Sequence, residues 1–149
     1  MTDTVSIKSS FKKLDNFFLV LLSSQLFLII TSLFIVSNQS ENSAQYLSNN
    51  FRIVIMVVTL SAVLIVRVYY NVSIIKFRNA DSIEKQSSEF YNLNINRMAI
   101  LETISLINLI AFLVTYQFVF LIICGILFIL FIIYRPTEKS FNSEMKVKK

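Results

Sequence analysis

Residues 98–134 read MAILETISLINLIAFLVTYQFVFLIICGILFILFIIY, and the only charge in the stretch is Glu102. As one straight helix these roughly 37 residues would run about 55 Å, against a bilayer hydrocarbon core of ~30 Å. The stretch must therefore fold back on itself. The polar spot Thr115-Tyr116-Gln117 is the natural reversal, although no glycine or proline marks it. It divides the stretch into two spans, 98–115 and 118–134.

Two further apolar runs lie upstream. Residues 17–36 carry Ser23, Ser24, Gln25, Thr31 and Ser32 but no charge, and residues 53–72 carry one charge, Arg67. A chain of 149 residues that is 55% hydrophobic has enough apolar residues for about four spans of ~20 each. The first run follows Lys8, Lys12 and Lys13, as a secretory leader does. It is longer than the ~7–15 residues of a leader's apolar region and has polar residues in its middle, so it reads as a retained helix. The fold class expected is all-α: a single membrane domain over 1–149, an integral membrane four-helix bundle of two hairpins.

The basic residues orient the spans. Lys8, Lys12 and Lys13 precede the first; Lys76, Arg78, Lys85 and Arg97 separate the second from the third; Arg135, Lys139, Lys146, Lys148 and Lys149 follow the fourth. The segment between spans one and two holds only Arg52 and the 115–117 turn holds none. The positive-inside rule then puts both termini, the loop 76–96 and the tail 136–149 in the cytoplasm (N-in/C-in). Tyr69, Tyr70, Tyr91 and Tyr134 fall near the inner boundary and Tyr46 and Tyr116 near the outer, where interfacial anchors belong. Pro136 ends the last helix. The loop 76–96 reads as span two continuing into a short helix, with Asp81, Glu84 and Lys85 at helical spacing, then an Asn-rich turn before span three. The segment 37–50 reads as a short exposed outer loop.

Composition removes whole chemistries. With no histidine there is no His-ligated metal and no Ser-His-Asp triad, and one cysteine, Cys124, forms no internal disulfide or redox pair. A single glycine leaves no phosphate-cradling loop. No catalytic residue, metal ligand or cofactor is expected, and the net charge of +5 is explained by topology without nucleic acid. The partners expected are the lipid bilayer and a membrane-protein partner or a second copy of the chain.

Two ionisable residues lie inside the spans, and intramembrane charges are functional candidates by default. Arg67 is about five residues from the inner end of span two, and Glu102 about four from the inner end of span three, so the two fall at similar depth. They form a candidate ion pair or an ion-carrier site. Glu102, Ser105 and Asn108 make a polar stripe on span three, and Ser24 and Gln25 offer its counterpart on span one. Such residues normally tie helices together. Span four, relieved only by Cys124 and Gly125, is expected to face lipid or another subunit.

Ala99-Ile100-Leu101-Glu102, the apolar hairpin and Tyr134-Arg135-Pro136-Thr137-Glu138-Lys139 together resemble a group of uncharacterised small four-span inner-membrane proteins of Bacteroidota, over residues 97–139. The resemblance implies a fold and a multi-pass location in the bacterial inner membrane, and no established activity. Double-hairpin proteolipid subunits of rotary ATPases also bury one carboxylate, but they pack through glycine repeats, where this chain has only Gly125. The expected role is non-catalytic, an accessory or scaffold subunit of a membrane complex. The alternative is a small transporter or proton-conducting subunit using Glu102 with Arg67.

Overall fold

The structure, a computed structural model, describes residues 2–38, 49–78 and 82–144. Five helices follow in order: α1 (Thr2–Ser37), α2 (Asn49–Phe77), α3 (Ile83–Thr115), α4 (Phe118–Ile133) and α5 (Glu138–Glu144). The described residues include no strand. Segments Phe11–Ser37, Asn50–Phe77 and Ile83–Thr115 are each long and apolar enough to cross a membrane. The fourth apolar helix, α4, has 16 residues and a length of about 24 Å. The outer loop expected at 37–50 falls mostly outside the described residues, as do Asp81 and the last five residues of the tail.

Long uninterrupted helices follow from a chain with one proline and one glycine. Polar residues inside α1 do not break it, because their hydroxyls bond backward along the helix. Ser23 Oγ donates to the Leu19 carbonyl at 2.8 Å, Thr31 Oγ1 to Phe27 at 2.8 Å and Ser32 Oγ to Leu28 at 2.6 Å.

The reversal falls where the sequence places it. α3 ends at Thr115, and Tyr116 takes the left-handed conformation (φ 55°, ψ 17°) with its N–H bonded to the Phe112 carbonyl at 2.7 Å. A left-handed residue is the usual way to close a helix C-terminus, a position glycine fills most easily. Thr115 Oγ1 completes the turn by accepting the Gln117 N–H at 3.3 Å.

The Asn-rich turn expected before span three is not present. Helix α3 begins at Ile83 and runs without a break through Asn92, Asn94 and Asn96 into the apolar segment. The capping residue is Ser82, in extended conformation, whose side chain accepts the Lys85 N–H at 3.3 Å. Asn94 stays helical because its side chain is satisfied on both sides: Nδ2 donates to the Phe90 carbonyl at 2.8 Å and Oδ1 accepts from Arg97 at 2.6 Å. After Pro136 the chain forms one further helix. Thr137 accepts the Ser140 N–H at 3.1 Å, and α5 folds back to bury Phe141.

Helix α3 is the hub. It packs against α1, α2 and α4, whereas α1 also meets α4 and α2 rests substantially on α3 alone. Span four, expected to face lipid or another subunit, does leave Ile122, Ile126 and Ile129 exposed, but it also packs closely into the bundle. Phe120, Cys124, Leu127 and Phe131, spaced three and four apart, bury one face of α4, and α2 is the outlier. Gly125 lies off that face, with nothing within 4 Å of where a Cβ would stand. Three buried clusters stack along α3: Ile55, Ala111, Phe112 and Phe120 at the hairpin end; Leu14, Phe18, Met98, Leu101, Ile104, Leu127 and Phe131 in the middle; Tyr70, Ile74, Phe90, Leu93 and Phe141 at the other end.

Large apolar side chains remain exposed along the whole length of the bundle. They include Val20, Phe27 and Phe34 on α1, Val57, Leu64 and Val72 on α2, and Ile122, Ile129 and Ile133 on α4. Soluble monomers rarely carry contiguous apolar surface on this scale. Three helices long and apolar enough to cross a membrane, together with this surface, point to a membrane protein.

Candidate functional site

The polar residues singled out in the apolar segments become interhelical ties. Gln25, 1% exposed, donates through Nε2 to Ser105 Oγ at 2.6 Å, joining α1 to α3. Asn108, fully buried, donates through Nδ2 to Thr59 Oγ1 at 2.9 Å, joining α2 to α3. Ser24 Oγ donates to Glu102 Oε1 at 3.4 Å. The stripe serves two partners because three residues turn a helix by about 300°, so successive members drift round the axis by about 60°. Glu102 and Ser105 consequently face α1, and Asn108 has rotated far enough to face α2. Cys124 Sγ contacts the Ser105 carbonyl at 3.5 Å, which adds α4 to the same layer.

The Gln25–Ser105 bond is open to measurement. In a double-mutant cycle of Gln25→Ala and Ser105→Ala, unfolding in detergent should show a coupling of about 0.6–1.7 kcal/mol. Coupling near zero would mean that the two side chains do not meet.

Arg67 and Glu102 are not brought together. The register set by Thr59 against Asn108 and Tyr70 against Arg97 puts Arg67 at about the level of Ile100, so the depths agree with expectation. The faces do not. Glu102 is half-buried against α1, with Oε2 buried and unpartnered, while Arg67 is exposed on α2. Among the described residues the ion pair is instead Arg135–Asp15, where Arg135 Nη2 lies 2.9 Å and 3.1 Å from the two carboxylate oxygens. It staples the end of α4 to α1, and being largely exposed it contributes about 1 kcal/mol or less.

The charge that organises the structure is Arg97, which sequence reasoning used only as a topological marker. Arg97 is 9% exposed. Its guanidinium lies 3.9 Å from the centroid of the Tyr70 ring and 4.7 Å from that of Tyr134. Nη2 donates to Asn94 Oδ1 at 2.6 Å and to the Tyr134 carbonyl at 2.9 Å. The last carbonyls of a helix lack intrahelical donors and carry partial negative charge, so a cation there caps and complements α4. The arrangement continues outward. Tyr70 Oη donates to Glu144 Oε2 at 2.7 Å, and Ser140 Oγ donates to Glu144 Oε1 at 2.8 Å. One guanidinium thus links α2, α3 and the end of α4, and through Tyr70 also α5.

This corrects the reading of the tyrosines. Tyr69 is exposed as an interfacial anchor should be, but Tyr70 is buried against Arg97 and Tyr134 is half-buried beside it. The available signal was the i, i+3 pair Asn94 and Arg97 at the edge of an apolar run, a spacing that puts both on one helix face. The described residues contain no group of three or more acidic or cysteine side chains that could hold a metal ion.

No family model, curated protein or solved structure matches this chain.

Proposed function

We propose that the chain is a multi-pass protein of the bacterial inner membrane, with both termini and the α2–α3 connection on the cytoplasmic side, and that its role is non-catalytic. On this reading it is an accessory or scaffold subunit that works by holding a partner or a second copy in the bilayer. The resemblance of residues 97–139 to small four-span proteins of Bacteroidota points to the same location. The observation that carries the role is the use made of the intramembrane polar side chains. Gln25 is tied to Ser105 and Asn108 to Thr59, each bond joining two helices. The amide donors of Gln25 and Asn108 are thereby committed to holding helices together, while their oxygens, Gln25 Oε1 and Asn108 Oδ1, stay buried without a partner.

A proton- or cation-conducting role is the second reading, favoured by one observation: Glu102 Oε2 is buried without a partner. One reconstitution separates the two. In liposomes under a pH gradient, the scaffold reading expects wild-type chain and Glu102→Gln to leave proton flux at the level of empty vesicles. Flux in the wild type that Glu102→Gln abolishes establishes the conducting role instead. For orientation, a reporter at residue 45 should be inactive in the cytoplasm and one after residue 149 active there; the reverse pattern overturns the topology.

A further inference from the structure

The inner ends of α2 and α4 do not close against each other. A groove of about 770 Å³ lies between them, with Arg97 of α3 in its wall and Ser143 and Glu144 of α5 at its edge. The wall is divided by chemistry: Val66, Ile75 and Ile133 are apolar, while Arg67, Arg78 and Arg97 are cationic. Arg78 directly follows α2, its N–H bonded to the Ile74 carbonyl, and stands eleven residues from Arg67, just over three turns, so both project from one face about 16 Å apart along the axis. The described lining holds a single carboxylate, Glu144, and its two oxygens already accept from Tyr70 and Ser140. Arg67 and Arg78 form no ion pair with any described residue. Arg97 is about nine-tenths buried, yet its Nε has no hydrogen-bond acceptor.

We propose that this groove binds an anionic phospholipid of the inner leaflet. Its phosphate lies against the Arg67 and Arg97 guanidiniums, Arg78 meets the outer part of the acidic headgroup, and an acyl chain runs along Val66 and Ile133. The guanidinium fork matches two phosphate oxygens at once, and basic pockets between membrane helices on the cytoplasmic side are where acidic headgroups are held. The apolar upper wall selects a lipid over a free anion, because a free phosphate would leave that surface uncovered. The excess of cations selects against a zwitterionic headgroup, whose own cation would be repelled. The proposal rests on the membrane placement given above.

The test uses the full chain in detergent, titrated with dioleoylphosphatidylglycerol or dioleoylphosphatidylcholine and read by native mass spectrometry. The phosphatidylglycerol adduct should be retained about tenfold better than the phosphatidylcholine adduct. Arg67→Gln with Arg78→Gln should weaken it about thirtyfold, the product of about fivefold per cation, with helix content by circular dichroism unchanged. Equal retention of the two lipids overturns the proposal, and so does a double variant that binds like the wild type. Displacement of the lipid by millimolar inorganic phosphate overturns the lipid as the source of the anion. Alkaline carbonate extraction reads the membrane placement separately. A chain that stays with the membrane yet shows no lipid preference defeats the groove alone, and a chain released by carbonate defeats the placement.

Discussion

Arg97→Ala is expected to destabilise the protein by about 3–5 kcal/mol, a loss on the scale of breaking a buried charged network. Truncation removes two charge-assisted hydrogen bonds, leaving Asn94 Oδ1 and the Tyr134 carbonyl without their donor. Each stranded acceptor costs about 1–2 kcal/mol at this part-buried site, and loss of the stacked cation over Tyr70 and Tyr134 adds about 0.5 kcal/mol for each ring. Arg97→Lys should recover less than half, since an ammonium is not planar and cannot stack on two rings while donating to two acceptors. Thermal unfolding in mild detergent, followed by circular dichroism, measures both variants. A full rescue by lysine would show that charge alone matters and that the guanidinium geometry does not.

The second large effect is expected at Phe90, whose side chain is fully buried. Its ring centroid lies 5.3 Å from that of Phe141 in an edge-on arrangement and 6.0 Å from that of Phe11, and Phe11 and Phe141 are themselves 5.4 Å apart. Phe90→Ala should cost about 3–5 kcal/mol, the usual range for emptying an aromatic from a packed core. The damage should be local. The cluster that holds α5 would loosen, while the apolar helices stay associated through Gln25–Ser105 and Asn108–Thr59. Limited trypsin digestion is the readout: cleavage after Lys139 should accelerate in Phe90→Ala at temperatures where helix content is unchanged, the Arg135–Pro136 bond being resistant to trypsin. Equal digestion of variant and wild type would show that the three rings do not secure α5.

What the sequence disclosed and what it concealed divide along physical lines. The apolar helices and the reversal at Thr115-Tyr116-Gln117 were legible because the length of an apolar run is a one-dimensional argument. The polar stripe was also legible as helix-to-helix glue, although which neighbour each residue meets depends on angular drift and on where the neighbours stand. Arg67 and Glu102 show the limit. Depth can be counted along a chain, but the face a residue presents depends on the packing of α1, α2 and α4 around α3. Helix α5 was concealed because a seven-residue amphipathic segment depends on a docking site elsewhere, here Phe11 and Phe90. Arg97 was concealed for the same reason: its acceptor on α4 is the backbone carbonyl of Tyr134, which has no sequence signature. The Asn-rich turn was misread because an asparagine amide can be satisfied without leaving the helix, by bonding back to the carbonyl four residues earlier. Asn94 is held by Phe90 and Arg97 instead.

That α2 leans on α3 alone has a consequence for biogenesis. On the proposed membrane placement α1 and α2 reach the bilayer first, and these two helices scarcely touch. Until α3 is made, Gln25 and Thr59 have no Ser105 or Asn108 to meet. The early hairpin therefore waits in lipid as two separate rods, with its buried polar groups exposed to the insertion machinery or to whichever helix is nearest. A nascent chain halted before Ser105 has emerged from the ribosome should be retained at the insertion site, and one lengthened until all of α3 has emerged should release and lock in a single step.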